Sequence, residues 1–187
     1  MKRLVALNIR PAALFVVIAL LLAAVPVWSQ TDYFAVDVDD LFGLWYGESD
    51  WGDFDNDNDL DLLMAGYGLV TGQGYNKFYR NDGNSVFTLL TTDLLGTGNG
   101  TVRFTDLDGD GDLDALVCGQ VASNVDTTRV YVNNSGVYAD SGTTLPRRVS
   151  SWMSVGDYDN DGDLDILLTG GTIDAPSVGY VHILRND

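Results

Sequence analysis

Beyond residue 30 the chain alternates short apolar runs with tight polar clusters, and the order of the two repeats. Three polar runs, at 53–61, 106–114 and 157–165, each open directly into an apolar stretch: Leu62-Leu63-Met64, Ala115-Leu116-Val117 and Ile166-Leu167-Leu168. A glycine stands at the fourteenth position of each unit, at Gly66, Gly119 and Gly170. A second block follows: Phe78-Tyr79-Arg80-Asn81, Val130-Tyr131-Val132-Asn133 and Ile183-Leu184-Arg185-Asn186. A third block, Val86-Phe87-Thr88 and Val137-Tyr138-Ala139, lies past a turn of Asn, Asp, Ser and Gly. A further strand-like stretch precedes each polar run, as in Ser151-Trp152-Met153-Ser154-Val155. No long segment after Gln30 has a helical period, and the 21 glycines argue against helices. Each unit therefore reads as four short strands separated by turns.

The acidic runs are spaced by 53 and 51 residues, so the unit repeats about every 52. Four short strands in about 50 residues is the content of one β-propeller blade. The fold class expected is all-β: a partial propeller of about three four-stranded blades. Tyr33-Phe34-Ala35-Val36 precedes the first acidic run as Val86-Phe87 and Val137-Tyr138 precede the next two, so it reads as a fourth strand without its own blade. The sequence stops at Arg185-Asn186-Asp187, in the turn after a third strand. Such an offset lets the first strand of a closed propeller complete the final blade. Three blades are too few for a ring, since propellers have about four to eight. The expectation is a fragment of a larger propeller, for example a seven-bladed one; the alternative is that copies associate to finish the ring.

The first 29 residues break the pattern. Lys2, Arg3 and Arg10 form a basic region, residues 12–25 an uncharged apolar run, and Val27-Trp28-Ser29 a cleavage site after Pro26. This is the layout of a secretory signal peptide over 1–29, with the repeats over 30–187. The uncharged stretch 11–28 is shorter than the about 20 residues a spanning helix needs, so no membrane span is expected after cleavage. The expected location is extracellular, at the cell surface or in the periplasm.

Charge sharpens the reading. The chain carries 27 acidic and 10 basic residues, a formal charge of −17, which repels phosphate backbones and excludes nucleic acid as a partner. The acids are 26 Asp and the single Glu48, so short carboxylates are being placed for geometry. In the acidic runs they alternate: Asp53, Asp55, Asp57, Asp59, Asp61; Asp106, Asp108, Asp110, Asp112, Asp114; and Asp157, Asp159, Asp161, Asp163, Asp165. Acids at positions 1, 3, 5 and 9, with the backbone carbonyl of position 7, can converge on one hard cation, while Asn or Gly at positions 4 and 6 permits positive φ. About three Ca²⁺ ions are expected, one per loop. Two unit charges 4 Å apart repel by about 4 kcal/mol at an effective dielectric near 20, and a divalent ion cancels that cost. Leu60, Leu113 and Leu164, at position 8, are expected to plug the loops onto the core. An EF-hand would need a bidentate acid at position 12, where Met64, Val117 and Leu168 stand. Magnesium retains its waters, and zinc or copper would want His or Cys, of which the chain has one each.

With these loops the chain resembles the FG-GAP/VCBS-type repeats, which build calcium-loaded propeller blades, including those of the integrin α-subunit head. The resemblance rests on the three acidic loops with their Asp-Leu-Asp endings, the apolar strand and glycine after each, and Phe-Tyr-Arg-Asn-Asp-Gly at 78–83, and it covers residues 33–187. Two positions depart from the pattern: Asn58 replaces Gly at position 6, and Thr105 stands where Gly usually precedes the loop. The resemblance implies adhesion, ligand binding or scaffolding toward a protein or glycan ligand, with structural Ca²⁺ and no catalysis. Some relatives carry the propeller inside polysaccharide lyases, which makes the propeller portion of such an enzyme the alternative function.

Few residues outside the loops suggest chemistry. His182 alternates with strand residues and is expected to be packed or at an edge. Cys118 follows an apolar run and is expected to be a buried, inert thiol. Trp45, Trp51, Trp152 and the tyrosines are expected mostly in packing, a few at loop tips able to stack on sugars. Asn99-Gly100-Thr101 and Asn133-Asn134-Ser135 fit the glycosylation pattern.

Overall fold

The computed structural model describes residues 41–121 and 125–187. The signal peptide expected over 1–29 and the strand expected at Tyr33-Phe34-Ala35-Val36 lie outside the described residues.

The described strands form three antiparallel sheets, each a meander in chain order. The first holds β1 (Leu44–Gly52), β2 (Asp61–Gly68), β3 (Gly74–Asn81) and β4 (Phe87–Leu90). The second holds β5 (Gly98–Thr105), β6 (Asp114–Val121), β7 (Val125–Asn134) and β8 (Val137–Asp140). The third has three strands among the described residues, β9 (Val149–Gly156), β10 (Asp165–Thr172) and β11 (Ala175–Leu184), with β10 in the middle. The all-β expectation holds. Each acidic run is the loop between the first and second strands of its sheet.

The apolar stretch after the second loop is continuous because its strand, β6, is buried on both faces. On β6, Ala115 and Val117 enter a core with Leu63, Ala65, Phe78, Val102 and Phe104. Its intervening residues, Leu116 and Cys118, enter a second core with Val130, Met153, Ile166 and Leu168. Successive strand residues point to opposite faces, so one strand serves two interfaces. Counted from the first Asp of each unit, positions 11 and 13 of one sheet meet positions 10 and 12 of the next. Leu63 and Ala65 meet Ala115 and Val117; Leu116 and Cys118 meet Ile166 and Leu168. The first strands also pack in series, β1 on β5 and β5 on β9. Asp50 Oδ2 accepts the Phe104 amide at 2.9 Å, and Arg103 pairs with Glu48 at 2.6 Å across the first of these seams.

The glycine at position 14 has a backbone reason. Gly66, Gly119 and Gly170 adopt φ of 156°, 150° and 148°, opposite irregularities in the pairing of the first strand. A Cβ on Gly119 would stand 2.8 Å from the Gly98 carbonyl oxygen, so the bulge and the missing side chain go together.

Two packing expectations are corrected. Leu60 does not plug its loop: it is 56% exposed, whereas Phe54, at position 2, is 4% exposed and stands among Phe78, Phe104 and Tyr138. Position 2 lies where the chain leaves the first strand beside the next sheet, while position 8 faces outward in the first loop. Only Leu113, of the three leucines, packs against a core cluster. Trp45, Trp51 and Trp152 are also exposed rather than packed, at the open faces and edges of the first and third sheets. Cys118 is a buried free thiol, with its proton held more tightly by burial. His182 on β11 lies against Arg148, which stacks on Tyr180 at 4.5 Å.

Truncating Leu116, fully buried in the second core, to Ala is expected to cost about 2–5 kcal/mol in urea denaturation. Leu60→Ala is expected to change stability by less than about 0.5 kcal/mol and Phe54→Ala to cost about 3–5 kcal/mol, which separates the position-8 and position-2 assignments.

Candidate metal centre

The loops fold on themselves through their own carboxylates. Positions 4 and 6 have positive φ throughout: Asn56 62°, Gly109 73° and Asn160 63°, then Asn58 74°, Gly111 92° and Gly162 104°. Asn58 thus takes the conformation that glycine takes in the other two loops. These left-handed residues turn the backbone amides inward. Asp53 accepts the amides of Asp57 and Asn58 at 3.0 and 2.9 Å, Asp106 those of Gly109 and Gly111 at 2.8 and 3.0 Å, and Asp157 those of Asp161 and Gly162 at 3.2 Å each. The position-5 carboxylates accept the position-7 amides, as in Asp57 with Asp59 at 2.9 Å and Asp110 with Asp112 at 2.8 Å.

This geometry gathers three carboxylates in each loop, with one oxygen from each within 4.8 Å of the others. The sets are Asp53, Asp55 and Asp57; Asp106, Asp108 and Asp114; and Asp157, Asp159 and Asp165. The first loop uses positions 1, 3 and 5, the other two positions 1, 3 and 9. Asp61, Asp110 and Asp161 flank these sets without belonging to them. Of the position-7 residues, Asp112 turns its carboxylate away to the Ser135 amide at 2.8 Å and Asn56 Nδ2 at 2.9 Å. The carboxylate of Asp59 lies toward Gly83, and Asp163 is exposed.

The electrostatics are strained in one direction. Burial, then repulsion from Asp57 and Asp53, pushes the Asp55 carboxyl above its usual range. Burial, then Asp161, does the same to Asp159. Asp159 Oδ1 is buried with no hydrogen-bond partner, although its other oxygen pairs with Arg185 at 3.1 Å. Crowded oxygens, raised carboxyls and an orphaned oxygen fit a hard divalent cation bound by carboxylates.

The ninth aspartates do more than close a cage. Asp61, Asp114 and Asp165 are buried, and each accepts two backbone amides. One comes from position 2 of its own loop: Phe54 at 3.0 Å, Leu107 at 2.9 Å and Tyr158 at 3.0 Å. The other comes from the residue ending the third-strand block: Asn81 at 2.8 Å, Asn133 at 2.8 Å and Asn186 at 2.9 Å. Burial holds the Asp61 and Asp114 carboxyls above their usual range, with those amides opposing the shift.

The asparagines themselves tie the loops together, a role that motif reading missed. Asn133 Nδ2 donates to the Leu113 carbonyl of its own loop at 3.1 Å and to the Phe54 carbonyl of the preceding loop at 3.2 Å. Asn186 Nδ2 reaches the Leu107 carbonyl, one sheet back, at 2.7 Å. The signal was their recurrence at the end of each second block. Asn133 is fully buried, so the glycosylation pattern there is not available on the folded surface.

Asp114→Ala would strand two amides, and the expected loss is about 1–3 kcal/mol for each, read by denaturation. In chelator, raised carboxyls mean that the folded chain binds more protons than the unfolded chain above the ordinary value of 3.8. Stability is therefore expected to fall as pH rises through the carboxyl range, and added divalent cation to reverse the trend, as followed by melting temperature against pH.

A family model described as an FG-GAP-like repeat matches residues 53–117, from the first acidic loop into β6. The third loop lies beyond that span and repeats its geometry. No curated protein and no solved structure matches the chain.

Proposed function

We propose that the chain is an exported calcium-binding β-propeller repeat module, its sheets serving as blades, that acts in recognition, adhesion or scaffolding. The observation that carries this is the threefold recurrence of one carboxylate cluster at one place in each sheet. Asp53, Asp55 and Asp57, Asp106, Asp108 and Asp114, and Asp157, Asp159 and Asp165 would hold the ions. Bound calcium supplies charge neutralisation and ties the first strand of a sheet to its second. The chain's own contribution is to hold the oxygens together through the position-4 and position-6 turns.

The blade reading is supported by the meander order of each sheet, the serial contact of first strands and the FG-GAP-like match. Export is supported by the sequence over 1–29, and extracellular calcium is high enough to load even weak modules. No helix among the described residues is long and apolar enough to cross a membrane. A non-enzymatic role is supported by the occupation of the clustered acids in the loops and by the position of the one histidine against Arg148. The partner would be a protein or glycan.

Calorimetric titration of Ca²⁺ into chelator-stripped protein is expected to give binding heat at about three ions per chain. At free calcium 100-fold above Kd, a site adds about 2.7 kcal/mol of stability. Mg²⁺ at the same concentration is expected to give a smaller melting shift. Asp55→Asn, Asp108→Asn and Asp159→Asn together should abolish the calcium response. A stripped protein with no heat and an unchanged melting temperature would refute the proposal.

A further inference from the structure

The three loops differ in the charge that stands beside them. Each third-strand block carries one residue just before its asparagine: Arg80, Val132 and Arg185. In the third loop Arg185 lies across two carboxylates. Its Nη1 is 3.1 Å from Asp159 Oδ2, and its Nη2 is 3.7 Å from Asp161 Oδ2. The guanidinium thus bridges positions 3 and 5, the place between carboxylates that a bound cation would take. The other oxygen of Asp159 is buried and has no partner.

The first loop has the same residue in a second posture. Arg80 keeps its Nε and Nη2 on Asp82 Oδ1, each at 2.7 Å, and Asp82 also accepts the Thr88 hydroxyl. From there its charge still reaches Asp55, where it opposes the rise caused by burial and by Asp57 and Asp53. Asp187 follows Asn186 as Asp82 follows Asn81, and it too pairs with its arginine. Each arginine therefore has a resting acid outside its loop. Arg185 is shared between that acid and the loop, whereas Arg80 sits on the acid alone.

The second loop has neither part. Val132 and Asn134 fill the two places. Among the described residues no cationic side chain pairs with Asp106, Asp108, Asp110, Asp112 or Asp114. Yet the second and third loops gather the same three positions, 1, 3 and 9, and both have positive φ at positions 4 and 6. The arginine is the charged group that separates two cages of one design.

We infer that Arg185 is a tethered counter-ion of the third loop, a cation built into the chain that competes with calcium there, so that the second loop is the tighter site and the third the weaker. This rests on the calcium reading of the loops given above. A guanidinium and a divalent ion on one carboxylate repel each other. Arg185 either stays and repels the ion or gives up Asp159 and Asp161 for Asp187, and both routes lower affinity. With no ion bound, it cancels part of the repulsion between those two acids, and the loop keeps its turn. As calcium falls, the third loop exchanges it for an internal cation instead of springing open, while the second loop is still loaded.

The test isolates single loops within the full chain. Asp55→Asn with Asp108→Asn leaves the third loop able to bind, and Asp55→Asn with Asp159→Asn leaves the second. Calorimetric titration of Ca²⁺ is expected to give the second loop a Kd about tenfold below that of the third. Arg185→Met keeps the apolar stem and removes the charge. It should tighten the third loop about tenfold and move the second by less than about twofold. Arg185→Lys, which keeps the charge, should leave both near their starting values. In chelator, Arg185→Met alone is expected to lower the melting temperature by about 2 °C, a loss that saturating calcium removes. An arginine with a merely structural role would lower it in both conditions. A third loop that binds as tightly as the second, or one that Arg185→Met fails to tighten, would overturn the inference and leave the calcium reading standing. A wild-type chain that gives no binding heat would overturn both.

Discussion

The arrangement depends on one buried carboxylate per repeat. Asp61, Asp114 and Asp165 each hold the start of an acidic loop and the end of the third strand through two backbone amides. A carboxylate accepting charge-assisted bonds from fixed amides is a strong local tie, and its removal leaves buried donors with no alternative. Because one amide lies just past the first strand and the other at the end of the third, a single side chain sets where the loop sits relative to the strands on either side of the second. The oxygens that crowd together at positions 1 and 3 are held by a frame whose corner is position 9.

The same corner connects neighbouring sheets. The asparagine whose amide meets the ninth aspartate sends its side chain to the position-2 carbonyl one sheet back. Position 2 in turn sends its own side chain, Phe54 or Leu107, into the apolar seam beside that carbonyl. Loop geometry, strand order and sheet packing are therefore coupled through a few backbone groups around each loop. Acidic crowding works against this frame, since burial and mutual repulsion raise Asp55 and Asp159.

Much of this was legible in the sequence. The unit length, the strand order and the placing of Asp between turn-forming Asn and Gly follow from local chemistry that acts the same way in every repeat. The apolar run of β6 marked a strand, but its burial on both faces, with Ala115 and Val117 divided from Leu116 and Cys118, needed the two neighbouring sheets. The leucine at position 8 is invariant across the three loops, yet recurrence did not distinguish a plug from a residue facing outward. The role of Asn133 was hidden because its partners, Asp114, Leu113 and Phe54, are scattered over 79 residues of chain. The tryptophans misled because large aromatic residues ordinarily signal a core, and here three of them stand at open faces or edges.

The alternation along the middle strands has an evolutionary corollary. Even-numbered positions always look backward along the array and odd-numbered ones forward. Unequal recombination that duplicates or deletes one whole unit in frame therefore leaves every remaining seam chemically intact. A single residue inserted within a middle strand would invert the two sides and spoil both neighbours at once, whereas the hairpin that follows absorbs such changes: the third-strand block begins 25, 24 and 26 residues after the first Asp of the three units. Gene-level variation in this architecture is thus steered toward whole-unit gains and losses and toward the turns.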